Sequence, residues 1–143
     1  MRRGFTLLEL MVVIIILGVL ATLGVMQYQS AIEKSRGAEA RQVIGQLRSA
    51  CAAIFMRDGD TTNCDDGNLG ILSGGGIPPT TGGCEGTHFF SYEAASGGSA
   101  AVTFTATRCT GGGKTPNATV ANTLVLTTDF SSGQDDWSST GSY

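Results

Sequence analysis

The stretch from Phe5 to Met26, FTLLELMVVIIILGVLATLGVM, is 22 residues long and carries a single charge, Glu9. At about 1.5 Å per residue it makes roughly 33 Å of helix, enough to cross the hydrocarbon core of a bilayer. Arg2 and Arg3 stand immediately before it, so the positive-inside rule places the N-terminus in the cytoplasm and the rest outside. A cleaved secretory signal would have a shorter, uncharged apolar core followed by a small-residue cleavage site. Here the run is too long and passes directly into a second helical pattern. Glu9 is the anomaly, because a carboxylate at the bilayer centre costs about 2.5–3.5 kcal/mol, and less near the edge. A functional reading requires a cation to meet it in an assembled state. The amino group of a neighbouring copy's Phe5 would do so if Phe5 were the mature N-terminus.

Outward from this segment, Tyr28 to Arg57 continues the helix. Val43, Ile44, Leu47, Cys51, Ile54 and Phe55 form one stripe of period 3.6. Lys34, Arg41 and Arg48, spaced by seven, fall on a different strip that faces solvent or neighbouring subunits. Glu33, Lys34, Arg36 and Glu39 read as a solvated patch, with Glu33–Arg36 an i,i+3 pair worth a few tenths of a kcal/mol, on the order of 0.3. Asp58-Gly59 ends the pattern, glycine being suited to a left-handed stop. A helix over 5–57 would run to about 80 Å, which no small core can cover, so it needs packing partners.

Residues 58–143 have another character. Their 86 positions hold 16 Gly, 15 Thr and 9 Ser, and their nine carboxylates face only Arg108 and Lys114, a net of −7. Residues 58–87, with Pro78-Pro79, read as a long loop. Short strands follow at Phe89–Glu93 and Ala101–Arg108, flanking Ser96-Gly97-Gly98-Ser99, with a third over Leu124–Thr127. Matching the apolar faces predicts Phe90 opposite Phe104 and Tyr92 opposite Val102. Four cysteines allow three pairings. This register sets Cys84 opposite Thr110, beside Cys109, and so favours Cys84–Cys109 and leaves Cys51–Cys64. The spacings contain no C-x-x-C pair, and a single His is too few for a usual zinc site, so disulfides in an oxidising compartment are the reading. The fold class is α+β: a long N-terminal helix packed on a small antiparallel sheet.

Charge and chemistry exclude much. The formal charge of −3 argues against nucleic-acid binding by the isolated subunit, since such a protein needs a basic face. His88 lacks a nucleophile and an orienting acid, and neither a Walker loop nor H-E-x-x-H is present, so no catalytic residue is assigned. Asn117-Ala118-Thr119 fits a glycosylation sequon. Tyr28, Phe55, Phe89, Phe90, Tyr92 and Phe104 read as packing residues. No cofactor is expected, with one qualification. Asp129, Asp135 and Asp136 bracket a flexible turn before Trp137, and a turn of this kind supplies the hard oxygens calcium takes. A second acidic group, Asp58, Asp60, Asn63, Asp65 and Asp66, lacks EF-hand spacing.

Arg2-Arg3-Gly4 followed by Phe5-Thr6-Leu7-Leu8-Glu9 and the apolar run resembles the class III signal of type IV pilins and type II secretion pseudopilins. The resemblance is specific over residues 2–30. It implies cleavage after Gly4 by a prepilin peptidase that also methylates Phe5, an inner-membrane assembly platform, and packing of the apolar helix into a helical homo-oligomeric filament. The parts are then a leader at 1–4, an apolar membrane or filament-core helix at 5–27, its amphipathic continuation at 28–57 and a head at 58–143. Gly18 matches the family's mid-helix glycine, and Met26 stands where the family commonly has proline. The acidic tail also resembles the calcium-binding loop of some major pseudopilins. The leading expectation is a structural subunit of a type IV pilus, serving adhesion, motility or DNA uptake. Before assembly it would be single-pass in the inner membrane with a cytoplasmic N-terminus, and afterwards part of a surface filament or periplasmic. A secretion pseudopilin and a membrane-anchored binding domain that never polymerises are the alternatives.

Overall fold

The computed structural model describes residues 5–65, 68, 69, 84, 89–111, 120–141 and 143. Its order is one helix, α1 (Leu7–Asp58), then β1 (Phe90–Ser96), β2 (Ala101–Arg108), β3 (Thr123–Asp129) and β4 (Gln134–Ser139). Two compact units result, Met1–Ile32 and Glu33–Tyr143, with α1 passing through both. Asp58-Gly59 ends the helix as the sequence implies: Gly59 has φ 80° and its N–H reaches the Phe55 carbonyl at 2.8 Å.

In the first unit the helix is apolar and uncovered. Phe5 and every large apolar residue from Leu7 to Met26 are exposed, and the segment's mean hydropathy reaches 2.7. The Thr22 hydroxyl donates to the Val19 carbonyl at 2.8 Å, so even this polar group is satisfied within the helix, as a lipid or protein interior demands.

In the second unit the buried face of α1 is Glu33, Gly37, Ala40, Ile44, Leu47 and Cys51, spaced by four and three. Ile44, Leu47 and Cys51 belong to the stripe read from the sequence, while Val43, Ile54 and Phe55 are half-buried beside it. The stripe packs on a four-stranded antiparallel meander of order β1-β2-β3-β4, whose inner face is Phe90, Tyr92, Ala94, Val102, Phe104, Ala106, Leu124 and Leu126. Fully burying each Ile, Leu or Phe contributes about 1.5–3 kcal/mol. The outer face holds Thr103, Thr105, Thr107 and Thr127, which is why strand and solvent face alternate so cleanly.

The expected hairpin register is wrong by four residues. Phe90 faces Arg108, Tyr92 faces Ala106 and Ala94 faces Phe104. β1 runs on through Ala94, Ala95 and Ser96, and the turn is Gly97–Ala100, closed by Gly97 N–H to Ala101 O at 2.7 Å. An even slip leaves the same side chains inward, so a period-two pattern fixes the face but not the pairing. Both disulfides are nevertheless Cys51–Cys64 and Cys84–Cys109, with Cα–Cα distances of 5.4 and 5.5 Å. The Cys109 N–H bonds the Phe89 carbonyl at 2.9 Å, which sets the end of the β1–β2 ladder near the second bridge. Each bridge contributes about 3 kcal/mol by restricting the unfolded chain. Beyond the helix end, the fully buried Thr61 donates its hydroxyl to the Gly98 carbonyl and lies 3.3 Å from Ser96 Oγ, tying this segment to the hairpin tip.

β4 is absent from the sequence reading, which takes 129–137 as an acidic loop. All its residues are exposed and no apolar alternation marks it; pairing with β3 alone makes it a strand. Pro78-Pro79, His88, Asp66 and the sequon at 117–119 lie outside the described residues.

Two helical glycines separate packing from propensity. A Cβ on Gly45 would meet nothing within 4 Å, whereas one on Gly37 would come within 2.6 Å of the Tyr143 ring. Gly45→Ala is expected to stabilise the detergent-solubilised chain by about 0.5–1 kcal/mol. Gly37→Ala is expected to forfeit that gain and to lower the thermal midpoint.

Candidate functional site

Two places on α1 carry unusual chemistry. The first is its start. Gly4, with Arg2 and Arg3, lies outside the described residues; Phe5 is 79% exposed. Thr6 is the cap: Glu9 N–H donates to Thr6 Oγ1 at 3.3 Å, and Leu10 N–H to the Thr6 carbonyl at 3.3 Å. Sequence reasoning passed over Thr6, although Thr6-Leu7-Leu8-Glu9 has the S/T-x-x-E spacing that announces a capping box. Glu9 thereby sits in the first turn, where the helix dipole favours a negative charge. Its side chain is exposed, without an ion-pair partner among the described residues. A carboxylate so placed, amid exposed apolar residues, needs a cation from elsewhere once water is removed.

The second place is Glu33, which the sequence assigns to a solvated patch. The structure corrects that. Glu33 is 8% exposed and Arg108 only 2%. Arg108 Nη2 and Nε donate to the two Glu33 oxygens at 2.9 and 3.1 Å, and its Nη1 donates to the Cys109 carbonyl at 2.7 Å and the Phe89 carbonyl at 3.2 Å. Arg36 Nη1 adds a bond to Glu33 at 2.6 Å, and its guanidinium lies 4.0 Å from the centre of the Phe89 ring. The fork geometry lets one buried Arg meet a carboxylate and two carbonyls at once. The hydrogen bond from Arg108 holds the Glu33 carboxyl below its ordinary 4.5, opposed by burial and helped by Arg36. Sequence offered one clue to this partnership: Arg108 is a charge on the apolar parity of β2, after Val102, Phe104 and Ala106.

The strip Lys34, Arg41 and Arg48 does not face solvent alone. Arg48 Nε donates to Asp135 Oδ1 at 2.8 Å, and the Arg41 guanidinium lies 5.7 Å from the Trp137 ring. Of the calcium candidates, Asp129 accepts from Ser131 N–H, Ser131 Oγ and Ser132 N–H and so closes the β3–β4 turn; Gly133 completes it at φ 71°. Asp135 points to the helix side, where burial raises its pKa but bonds from Arg48 and Thr128 outweigh this and lower it. Asp136, across from Thr127, is on the opposite face. Among the described residues no three or more His, Cys or carboxylate groups are disposed to hold a metal.

An exposed apolar helix with a first-turn carboxylate, continued as the buried spine of an antiparallel meander, is a pilin-like α+β arrangement. Residues 1–25 match the prokaryotic N-terminal methylation motif, a class III signal. It is 38% identical over 80 residues to prepilin peptidase-dependent protein D of Escherichia coli K12, covering 56% of this chain and 51% of that protein. To a type IV major fimbrial protein FimA of Dichelobacter nodosus it is 34% identical over 79 residues, covering 52% and 51%. With a probable minor fimbrial protein of the same organism the figures are 39% over 85 residues, 54% and 53%. The chain spans about half the length of the curated relatives it matches. The fimbrial relatives are structural proteins rather than enzymes. No solved structure matches.

Glu33→Ala leaves Arg108 buried without its carboxylate, and such a loss costs about 3–5 kcal/mol. Chemical denaturation of the full chain in detergent measures it. Because the folded carboxyl is depressed, its contribution is complete above 4.5 and is lost as pH falls through the folded value. Stability of the unaltered chain is therefore expected to drop with acid below about pH 4.5, with a shallower drop in Glu33→Gln.

The turn carboxylates have their own test. Adding millimolar calcium and then chelator is expected to leave the thermal midpoint in place, because Asp135 and Asp136 diverge. A rise with calcium that Asp129→Asn abolishes would establish the metal site.

Proposed function

We propose that this chain is a structural subunit of a type IV pilus, polymerising through its apolar helix into an extracellular filament. The observation that carries the proposal is the run from Leu7 to Met26, in which every large apolar side chain is exposed and one carboxylate stands in the first turn. In water such a surface is untenable; in a bilayer it is stable, and in a bundle of identical helices it is covered. The methylation motif and the fimbrial relatives support the same reading.

Processing follows from the motif. A prepilin peptidase and N-methyltransferase cuts between Gly4 and Phe5 and methylates Phe5. The cut removes Arg2 and Arg3, so the formal charge moves from −3 to −5 as two cations leave. The subunit then waits as a single-pass inner-membrane protein with its N-terminus cytoplasmic, and an inner-membrane platform moves it into the filament. There Glu9 accepts the positive Phe5 amine of an adjacent copy, each charge offsetting the other in a low-dielectric core.

Mass spectrometry of the membrane-extracted chain is expected to show N-methylated Phe5 as the first residue; Met1, or any start beyond residue 20, counts against the reading. Glu9→Ala is expected to give a folded, disulfide-bonded, membrane-inserted subunit and at least tenfold fewer sheared filaments, about 1.4 kcal/mol in assembly. Normal yield from Glu9→Ala removes the charge pairing. Micrometre filaments in the sheared fraction mark a pilus, while their absence beside a periplasmic assembly marks the secretion pseudopilin.

A further inference from the structure

The charges of the second unit are separated along its helix. On one strip of α1, Lys34 and Arg41 are exposed, flank the small residues Gly37 and Ala38 and, with the Tyr143 ring, line a hollow of about 200 Å³. Among the described residues neither cation has an ion-pair partner. Around the β3–β4 turn, Asp129, Asp135 and Asp136 with Thr127 and Gln134 line a second hollow, of about 310 Å³. Asp135 is engaged by Arg48, and Asp129 bonds only neutral hydroxyl and amide groups of its own turn. Asp136 has no ion-pair partner among the described residues. Among the described residues the acidic hollow therefore keeps two carboxylates that form no ion pair, and the basic strip two cations that form none.

Lys34 cannot reach the acidic hollow of its own copy. The Arg48–Asp135 bond sets the acidic hollow at the level of Arg48. Lys34 lies 14 residues earlier on the same helix, about 21 Å away along the axis and beyond the reach of a lysine side chain. We infer that Lys34 and Arg41 of one copy enter the acidic hollow beside Asp129 and Asp136 of the next copy. The contact joins two different surfaces of the same chain, so it is heterologous. Such a contact repeats head to tail, and where its rotation does not close a ring it builds an open helical array. Long flexible cations entering a carboxylate-lined hollow fit the shapes as well as the charges. Arg41, already beside Trp137, brings an aromatic–guanidinium pair of the kind enriched where interface energy concentrates.

This inference rests on the filament reading, and its test separates the two. Filaments assembled from a mixture of ¹⁴N- and ¹⁵N-labelled full chain are treated with a water-soluble carbodiimide, which joins an amine to a touching carboxylate. The expected product is an isopeptide between Lys34 and Asp129 or Asp136 that carries both labels. Lys34 left unjoined, or joined only within one label, overturns the contact while the filaments themselves uphold the reading beneath it. No filaments from the unaltered chain overturns both. As a second readout, Lys34→Glu with Arg41→Glu is expected to lower filament yield at least tenfold, and adding Asp136→Lys with Thr127→Lys is expected to restore it. Unchanged yield in the first variant, or no recovery in the second, counts against the pairing.

Discussion

The bond between Arg108 and Glu33 joins residues 75 apart in sequence and fixes the sheet to the helix. A buried guanidinium is costly unless its donors are used, and here the carboxylate of Glu33 and the carbonyls of Phe89 and Cys109 accept four hydrogen bonds from it. Those partners come from the helix, from the residue before β1 and from the end of β2. One side chain thus ties together three segments that the hydrophobic effect alone would let slide. The aromatic residues Phe89 and Phe90 pack around the guanidinium, and the Tyr143 ring meets Phe90 edge-on at 5.4 Å.

The helix answers to two different surroundings in one continuous run. Before Ile32 its apolar side chains face outward and have no core; after Glu33 a stripe spaced by four and three faces inward onto the sheet. Glu9 and Glu33 sit near the start of these two parts and are treated oppositely. Glu33 has its cations inside the chain. Glu9 has none among the described residues.

Much of this was legible. The apolar run, the helix stop at Gly59, the stripe through Ile44, Leu47 and Cys51 and the parity of β2 all follow from spacing and composition, whereas the disulfide pairing came out right from a hairpin register that did not hold. What escaped did so for identifiable reasons. The β1–β2 register was ambiguous because a shift by four preserves every inward side chain. β4 carries no alternation, and its backbone bonds to β3 leave no trace in composition. The Glu33 patch looked solvated because its partner lies on a distant strand, and local spacing cannot report a contact across 75 residues. At the start of the helix the capping role of Thr6 was written in the sequence and needed only the spacing rule.

Since β4 is held by its backbone and contributes nothing to the core, most of its side chains are free to change. Substitutions at such exposed positions typically alter stability by no more than about 0.5 kcal/mol. Among the described residues of β4, Asp135 and Trp137 meet the helix, through Arg48 and Arg41. Gln134 and Ser138, with the neighbouring Val125, form a panel of outward surface whose chemistry is uncoupled from folding. A lineage carrying this chain can therefore repaint that panel, in charge or in hydroxyl content, while the spine and its buried arginine stay as they are.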